Sequence, residues 1–316
     1  MMKIVIVGGG AIGRLFGSFL AKGGNEISLI DIDNEVVGAM QSQGIGVMAH
    51  GEDDPDEVTL VPVTAMSDGA GIKECDLILL MVKSFSTRLA TQGIAHLVSP
   101  SCPLLVVQTG LGNVEVIGQI VPLEHVLVGF TFMSGTALGG STVRHGGAGK
   151  TYIGELSGEL TPRLKKIHQV FSDCGIQTQM ARRVVGRLWC KVIIYSAINP
   201  LSSLLKVPNG CLTTRMESIT LMKRLLDEGR RVAEACGIDL VYTDLYELLF
   251  EACQRSSNNL SSMLQDILNE RPTEIEAQNG AICRYAEEHG IAVPTHQTIV
   301  ELIRLLEKWR PGLEQL

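Results

Sequence analysis

Along the first half of the chain, short apolar runs alternate with segments in which apolar residues recur at helical spacing. A β-branched run at Lys3–Val7 predicts a strand, and apolar residues at helical spacing follow it at positions 15, 16, 19 and 20. A second apolar run at Glu26–Ile30 predicts the next strand. This alternation is typical of a parallel sheet whose strands are joined by crossover helices. The sequence therefore predicts an α/β domain at the start of the chain.

The pattern continues and then changes near residue 181. Further strands are predicted at residues 76–82, 104–107, 126–133 and 151–153, with a glycine-rich turn or hairpin at 135–150. Helical periodicity dominates afterwards, at residues 188–205, 219–236, 242–252, 273–289 and 297–309. We therefore predict two domains, an α/β domain over residues 1–181 and an all-α domain over residues 182–316.

A glycine-rich turn follows the first strand directly. Gly8, Gly10 and Gly13 occupy the three positions of G-x-G-x-x-G, with Ala11 and Ile12 between the last two. In a strand–turn–helix unit these glycines permit a tight turn, a close approach of a pyrophosphate and close packing of the helix. The helix N-terminus also offers unpaired N–H groups to phosphates. We predict a Rossmann-type dinucleotide site; the alternative is that the glycines only form a tight turn.

Asp31 bears on which dinucleotide is bound. It ends the second strand, eighteen residues after Gly13, where a carboxylate can accept hydrogen bonds from the adenosine ribose 2′-hydroxyl. Residues 31–35 contain no Arg or Lys that could neutralise a 2′-phosphate. This favours NAD over NADP. NADP stays open because Arg14 or Lys22 could supply a positive charge from elsewhere in space.

Composition narrows the class of protein. A hydrophobic share of 45% with 19% charged residues is typical of a compact soluble protein, and a net charge of -7 argues against a nucleic-acid partner. We find no apolar run long enough for a membrane span and no signal peptide. Eight scattered cysteines without a C-x-x-C pair favour reduced core residues over disulfides or zinc ligands. These features predict a cytoplasmic protein without a metal or a membrane partner.

Two polar residues stand out in the apolar segment at residues 188–200. Lys191 and Asn199 are eight positions apart, close to two helical turns, so they share a helix face. A lysine in this setting either extends its ammonium group to solvent or lies at a cleft. At a cleft, desolvation would lower its pKa toward that of a general acid.

A second polar group occupies residues 258–267 and 272–280. Thr273 follows a proline and precedes acidic residues, so it predicts a helix start. Glu274 could then be only an acid in the first helical turn, and Ser262 only a local capping group.

Taken together, these segments resemble the ketopantoate reductase family, the 2-dehydropantoate 2-reductases of pantothenate biosynthesis. The segments are residues 8–13, Lys83 after a strand, 108–112, 188–200, 261–267 and 273–280. The S-S-M-L-Q-D and T-E-I stretches are distinctive, whereas the glycine motif is not. The resemblance implies that a Rossmann domain binds a nicotinamide cofactor, usually NADPH, and that a helical domain closes over a small 2-keto acid.

The resemblance also implies roles for individual residues. Lys191 would be the general acid, Asn199 a substrate-binding asparagine and Ser262 a contact to the substrate carboxylate. Glu274 would be the partner of the substrate hydroxyl and of the lysine, and Lys83 would lie beside both cofactor and substrate.

Three positions depart from the family pattern. The family usually has asparagine where this chain has Thr109, in the loop after the 104–107 strand, and where it has Tyr195, one turn after the lysine. Both positions are expected to face substrate, and Thr109 also the cofactor. Losing two amides should alter how substrate oxygens are held. Asp31 replaces the basic residue commonly used for a 2′-phosphate.

Alternatives to a ketopantoate reductase remain open at this point. They are a reductase of another 2-keto acid, an opine-type or 3-hydroxy-acid dehydrogenase, and a cofactor-sensing protein without turnover. The 3-hydroxy-acid enzymes also use a lysine early in the second domain, so Lys191 alone does not separate them from the family, whereas Ser262 and Glu274 do. The presence of Lys191, Ser262 and Glu274 argues against the sensing protein. The sequence does not give the oligomeric state, and a homodimer is compatible with it.

Overall fold

A computed structural model of the chain describes residues 1–49, 51 and 57–309. The chain forms two compact units. The first comprises Met1–Gln108 and Asn113–Val184, and the second comprises Thr109–Gly112 and the chain from Val185 onward. The division near Val184 is close to the predicted boundary at 181. The short segment Thr109–Gly112, however, belongs to the second unit rather than to the predicted first domain.

The first unit is built on an eight-stranded sheet. Its strands, in spatial order, are β12 (Thr178–Met180), β11 (Thr151–Glu155), β8 (Val126–Thr131), β7 (Leu104–Val106), β6 (Leu77–Leu80), β1 (Lys3–Val7), β2 (Glu26–Ile30) and β5 (Thr64–Met66). The chain winds outward from β1 through β2 to β5, then crosses to β6 and continues to β8. The strand order thus reverses between β1 and β6, the position at which open α/β sheets bind ligands.

The sheet is parallel except at one pairing, because β11 runs antiparallel to β8. The predicted hairpin at residues 135–150 is confirmed: β9 (Ser134–Gly139) and β10 (Thr142–Gly147) pair antiparallel. It does not extend the main sheet. With β3 (Ile45–Met48) and β4 (Thr59–Val61) it forms a second, four-stranded sheet that the short, weakly alternating runs did not predict.

Helices pack on both sheets of the first unit. They are α1 (Ala11–Lys22), α2 (Asn34–Gln43), α3 (Thr87–Ile94), α4 (Asn113–Gly118) and α5 (Pro162–Asp173). Helix α1 lies between the two sheets: a Cβ added at Gly17 would approach Ile45 Cδ1 of β3 at 3.1 Å and Ile6 Cδ1 of β1 at 3.4 Å. This close packing fixes the helix whose N-terminus follows the glycine turn.

The second unit is helical in the part of the chain that the structure describes. Its helices are α6 (Val184–Leu205), α7 (Met216–Ala235), α8 (Leu245–Arg255), α9 (Ser262–Leu268), α10 (Asn279–Glu288) and α11 (Pro294–Lys308). Helix α6 corrects one expectation, since its 22 residues are long and apolar enough to cross a bilayer by length and composition. Of its most apolar window, 83% is buried inside the protein, as in the core helix of a soluble fold.

The predicted helix at residues 273–289 is wrong in its first turn. Residues Ile275–Ala277 form a single 3-10 turn, and α10 begins only at Asn279. Between them Gln278 has a ψ of -98°, outside the helical range, so the helix cannot continue through it. Thr273 therefore precedes an irregular turn, and Glu274 lies on that turn.

Candidate active site

Of the three motif glycines in the turn after β1, two are closely packed and one is open. Gly8 has φ +115°, and a Cβ there would lie 2.8 Å from the Met81 main chain. At Gly13 a Cβ would lie 1.9 Å from the Gly8 carbonyl oxygen, whereas at Gly10 it would meet nothing within 4 Å. The turn and the start of α1 thus leave free space in front of Gly10. A pyrophosphate fits this arrangement.

Asp31 is oriented toward the glycine turn by its own hydrogen bonds. Its Oδ2 accepts from the Gly9 amide at 2.6 Å, and its Oδ1 accepts from the Asp33 amide at 2.9 Å. Both donors are backbone groups of the loops that follow β1 and β2. The carboxylate is therefore held at the carboxyl end of the sheet, where the ribose of a dinucleotide would lie.

The two basic residues considered as phosphate partners are placed differently. Arg14 is 3% exposed, and its Nη1 donates to the carbonyl oxygens of Gly140 at 2.9 Å, in the turn between β9 and β10, and of Thr142 at 3.2 Å, the first residue of β10. Lys22 lies in the last turn of α1, roughly 13 Å along the helix from Gly13. Arg14 therefore supports the second sheet, and Lys22 is far from the N-terminus of α1.

Lys83 lies on the same edge of the sheet as Gly8. Strands β1 and β6 pair with Val7 opposite Leu80, so the segment after β6 starts beside the glycine turn. Lys83 precedes a 3-10 turn at Ser84–Ser86 and is half-buried.

Gln108 is a buried residue that the sequence did not single out as a site residue. It follows β7, is 4% exposed, and its Nε2 donates to Val82 O and to Thr87 Oγ1, each at 2.8 Å. These bonds fasten the loop that carries Lys83. Its Oε1 is buried without a hydrogen-bond partner among the described residues.

Thr109 begins the short segment that belongs to the second unit. Two residues further on, the Leu111 amide donates to Ala277 O at 2.8 Å. Gly110 has φ +106°, and a Cβ there would lie 2.6 Å from Ala277 Cβ, so a larger residue would not fit. The segment thus docks on the 3-10 turn next to Glu274. Thr109 and Tyr195 therefore share one unit instead of lying on two domains.

Lys191 is buried in α6, with its ammonium group over an aromatic ring. The residue is 8% exposed, and its Nζ lies 5.8 Å from the centre of the Tyr195 ring. Burial lowers the pKa of Lys191 to about 8, and the charge of Glu274 opposes this lowering. The ammonium group is therefore not solvated, and it can release its proton near neutral pH.

Glu274 lies on the irregular turn before α10, and its negative charge acts on Lys191. It is 9% exposed, and the neighbouring Thr273 amide donates to Glu307 Oε1 of α11 at 2.7 Å. The interpretation of Glu274 as a first-turn acid of a helix loses its basis, because α10 starts five residues later. A buried carboxylate next to a buried lysine is the arrangement expected of an acid–base pair.

Asn199 lies two turns along α6 from Lys191, as its spacing predicts. It is 3% exposed, and its Nδ2 donates to Gln278 Oε1 at 3.0 Å. Gln278 is 1% exposed, and no local sequence pattern marks it as a site residue. This bond assigns the orientation of the Asn199 amide.

Ser262 is not the capping residue of α9. Ser261 caps this helix, because its Oγ accepts from the Leu264 amide at 3.1 Å and receives a hydrogen bond from Ser202 Oγ at 2.6 Å. Ser262 is the first residue of the helix and is exposed. Its hydroxyl is therefore placed at the surface of α9, while Ser261 ties that helix to α6.

A buried hydrogen-bond network contacts α6 at the residue after Tyr195. The Asn279 Nδ2 donates to Ser196 O at 2.9 Å and lies 3.1 Å from His296 Nδ1. His296 Nε2 lies 2.9 Å from Leu225 O of α7. Burial lowers the pKa of His296 to about 4, so the ring is neutral, with a proton on Nε2 and an accepting Nδ1. Asn279 and His296 lie in ordinary amphipathic helices, and no local sequence pattern indicates that they are buried.

The fold, the residues around the glycine turn and the residues around Lys191 together define a nicotinamide-dependent oxidoreductase. Family comparison agrees: the ketopantoate reductase PanE/ApbA model matches residues 4–158, and the model of the ketopantoate reductase PanE/ApbA C terminal matches residues 183–307. The chain belongs to the ketopantoate reductase family. It is an enzyme that reduces a 2-keto acid with a nicotinamide cofactor, as the resemblance predicted.

Curated relatives match nearly the whole chain. A 2-dehydropantoate 2-reductase of Halobacterium salinarum (strain ATCC 700922 / JCM 11081 / NRC-1) is 32% identical over 97% of this chain and 99% of its own length. One from Pyrococcus abyssi (strain GE5 / Orsay) is 31% identical over 96% and 97%.

Solved structures share the fold. The ternary structure of D-mandelate dehydrogenase with NADH and anilino(oxo)acetate has a TM-score of 0.92 at 25% identity, covering 98% of this chain and 100% of that one. A PanE/ApbA family ketopantoate reductase from Ralstonia eutropha JMP134 has a TM-score of 0.88 at 27% identity, with the same coverage.

Proposed function

We propose that this enzyme uses NADH to reduce ketopantoate to pantoate, with Lys191 as the general acid. The observation that carries the proposal is the buried Lys191, whose pKa is lowered to about 8 by burial while the charge of the buried Glu274 opposes this lowering. A reductase needs a proton donor that is charged near neutral pH and can part with its proton.

The glycine turn and Asp31 would hold the cofactor. Gly8, Gly10 and Gly13, with the Ala11 and Ile12 amides at the start of α1, surround the open space in front of Gly10. Asp31 would accept from the ribose hydroxyls and repel a 2′-phosphate, which supports NAD over the NADP that is usual in the family. When bound, the nicotinamide supplies the hydride that reaches the carbonyl carbon.

The residues of the second unit would handle the carbonyl oxygen and its proton. Lys191 Nζ holds a proton for the oxygen, stabilises the negative charge that develops there and then transfers the proton to it. Glu274 keeps Lys191 charged until that transfer and accepts a hydrogen bond from the product hydroxyl. A charge buried in a site of low polarity acts more strongly than one in water.

Three further residues would orient the substrate. The amide of Asn199, held by Gln278, donates to substrate oxygens. The exposed hydroxyl of Ser262 binds the carboxylate, and Lys83 lies beside cofactor and substrate from the loop after β6. Serine, lysine and amide donors all suit an anionic 2-keto acid.

Tyr195 supports a second candidate substrate, a 2-keto acid with an aromatic side chain. Its ring lies over Lys191 where an amide would offer a donor and an acceptor, and Thr109 has a hydroxyl and a methyl group in place of an amide. An aromatic wall favours an apolar substituent on the substrate. D-mandelate dehydrogenase, which is similar to this chain, is named for an aromatic 2-hydroxy acid.

We also propose a cellular setting for the enzyme. Among the described residues no disulfide links its cysteines, which is typical of a cytoplasmic protein. We expect a homodimer and a role in pantothenate biosynthesis if ketopantoate is the substrate.

One substrate panel tests the proposal. Purified enzyme is given NADH or NADPH with ketopantoate, 2-ketoisovalerate, pyruvate or phenylglyoxylate, and cofactor oxidation is followed. We expect ketopantoate with NADH to give the highest kcat/KM. A clear preference for phenylglyoxylate would replace ketopantoate with the aromatic candidate, and no oxidation with any 2-keto acid would overturn the proposal.

A further inference from the structure

Two cysteines lie side by side at the end of the main sheet that is opposite the glycine turn. Cys75 precedes β6 and Cys102 precedes β7, and their Sγ atoms are 2.8 Å apart. Strands β6 and β7 pair in parallel, with Ile78 opposite Leu104. The two thiols therefore come from the amino-terminal ends of neighbouring strands in the first unit.

The two sulfur atoms are close enough for a disulfide to form with a small movement. Their separation of 2.8 Å exceeds the S–S bond length of about 2.0 Å by less than about 1 Å. Both side chains also pack on one apolar cluster, the one that contains Ile78 and Leu104.

Both cysteines are held by neighbouring hydrogen bonds. The Cys102 amide donates to Ser99 O and the Ser99 amide to Cys102 O, each at 3.1 Å, which closes a tight turn. Next to Cys75, the Asp76 amide donates to Lys3 O at 2.8 Å, and Asp76 Oδ2 accepts from the Lys3 amide at 2.7 Å. These hydrogen bonds hold the backbone at Cys102 and beside Cys75.

The two thiols differ in access and in acidity. Cys75 is half-buried, while Cys102 is 3% exposed. The hydrogen bond between them lowers the pKa of Cys75 and raises the pKa of Cys102. A thiolate is the attacking species in exchange with a disulfide. Cys75 is thus suited to attack first and Cys102 to attack second.

We propose that Cys75 and Cys102 form a reversible disulfide by exchange with small disulfides such as oxidised glutathione. The Cys75 thiolate attacks one glutathione sulfur, forms a mixed disulfide and releases one glutathione thiolate. Cys102 then loses its proton and attacks the Cys75 sulfur, which forms the internal disulfide and releases the second glutathione. Two protein thiols are oxidised, and one oxidised glutathione is reduced to two thiols.

The position of the pair indicates what the bond would do. Cys75 is eight residues before Lys83, a separation of up to about 26 Å along an extended strand, so the disulfide is remote from the proposed site. It closes a loop that contains β6, Lys83 and α3. Such a bond restricts the unfolded chain, so we expect it to stabilise the first unit without being needed for turnover.

A redox titration of the whole protein tests this proposal. Native protein is equilibrated with mixtures of reduced and oxidised glutathione, free thiols are alkylated, and peptides are mapped by mass spectrometry. We expect a peptide cross-linked between Cys75 and Cys102, removed again by excess reduced glutathione. The oxidised protein should melt on the order of 10 °C higher than the reduced protein.

Variants assign the order of attack. Cys102→Ser should trap glutathione on Cys75, whereas Cys75→Ser should leave Cys102 unmodified in the native state because it is buried. Cys211→Ser, at an exposed cysteine of the second unit, should cross-link like the wild type. The proposal is overturned if native wild-type protein in excess oxidised glutathione forms no bond between Cys75 and Cys102, whatever the variants do.

Discussion

The ammonium nitrogen of Lys191 lies 5.8 Å from the centre of the Tyr195 ring, one helical turn away on α6. Burial favours the neutral amine and the charge of Glu274 favours the cation, so the pKa of Lys191 falls only to about 8. The ring face attracts the cation as well. At neutral pH the lysine is therefore charged and still acidic enough to transfer a proton.

This relationship predicts a pH dependence of reduction. Because the acid must carry its proton, kcat/KM for 2-keto acid reduction should be constant below pH 8 and fall as the pH rises through about 8. Tyr195→Leu should move this fall to lower pH by about one unit, since the ring no longer stabilises the cation. Tyr195→Phe keeps the ring and is the matched control. A profile that is flat to pH 10 in the wild type contradicts the assignment.

Asp31 predicts the cofactor preference. We expect NADH to give a higher kcat/KM than NADPH, because the carboxylate next to the Gly9 amide repels a 2′-phosphate. Asp31→Asn should shift the ratio toward NADPH. Asp33→Asn removes one charge two residues away, and asparagine can still cap α2, so it should shift the ratio less. If NADPH is much preferred by the wild type and Asp31→Asn changes nothing, Asp31 does not contact the ribose.

Thr109 and Tyr195 predict how well ketopantoate is used. The double variant Thr109→Asn, Tyr195→Asn should raise kcat/KM for ketopantoate relative to phenylglyoxylate by about tenfold or more, since one well-placed partner contributes roughly 1–3 kcal/mol. The single variants should be non-additive if both side chains contact one ligand. High wild-type activity on ketopantoate that the double variant leaves unchanged would show that neither position selects the substrate.

His296 predicts an acid sensitivity of the second unit. Its pKa is lowered to about 4 by burial, so between pH 6.5 and pH 4 the unfolded chain binds a proton that the folded chain does not. Stability should therefore fall by roughly 3 kcal/mol as the pH drops through this window. Urea unfolding of His296→Gln should lack this fall, whereas His96→Gln, at an exposed histidine, should retain it. Equal slopes for wild type and His296→Gln would exclude this origin.

The sequence predicted those elements and residues that can be recognised from neighbouring positions in the chain. The strand β1, the glycine turn and α1 follow from consecutive residues, and Lys191 stands out because few lysines occur in so apolar a segment. Thr109 was assigned to the wrong unit because its docking depends on a bond from Leu111 to Ala277, more than 160 residues away in the chain. Gln278 and His296 were missed for the same reason, since only distant partners reveal that they are buried.

The proposed role of Lys191 is tested most directly by its removal. Lys191→Ala should lower kcat for 2-keto acid reduction by at least about 100-fold, the contribution of a positioned general acid. NADH affinity should stay nearly unchanged, because Lys191 is not among the residues expected to contact the cofactor. Lys223→Ala, at an exposed lysine of α7, is the control and should keep wild-type turnover. A Lys191→Ala enzyme that turns over 2-keto acids at close to the wild-type rate would contradict the account.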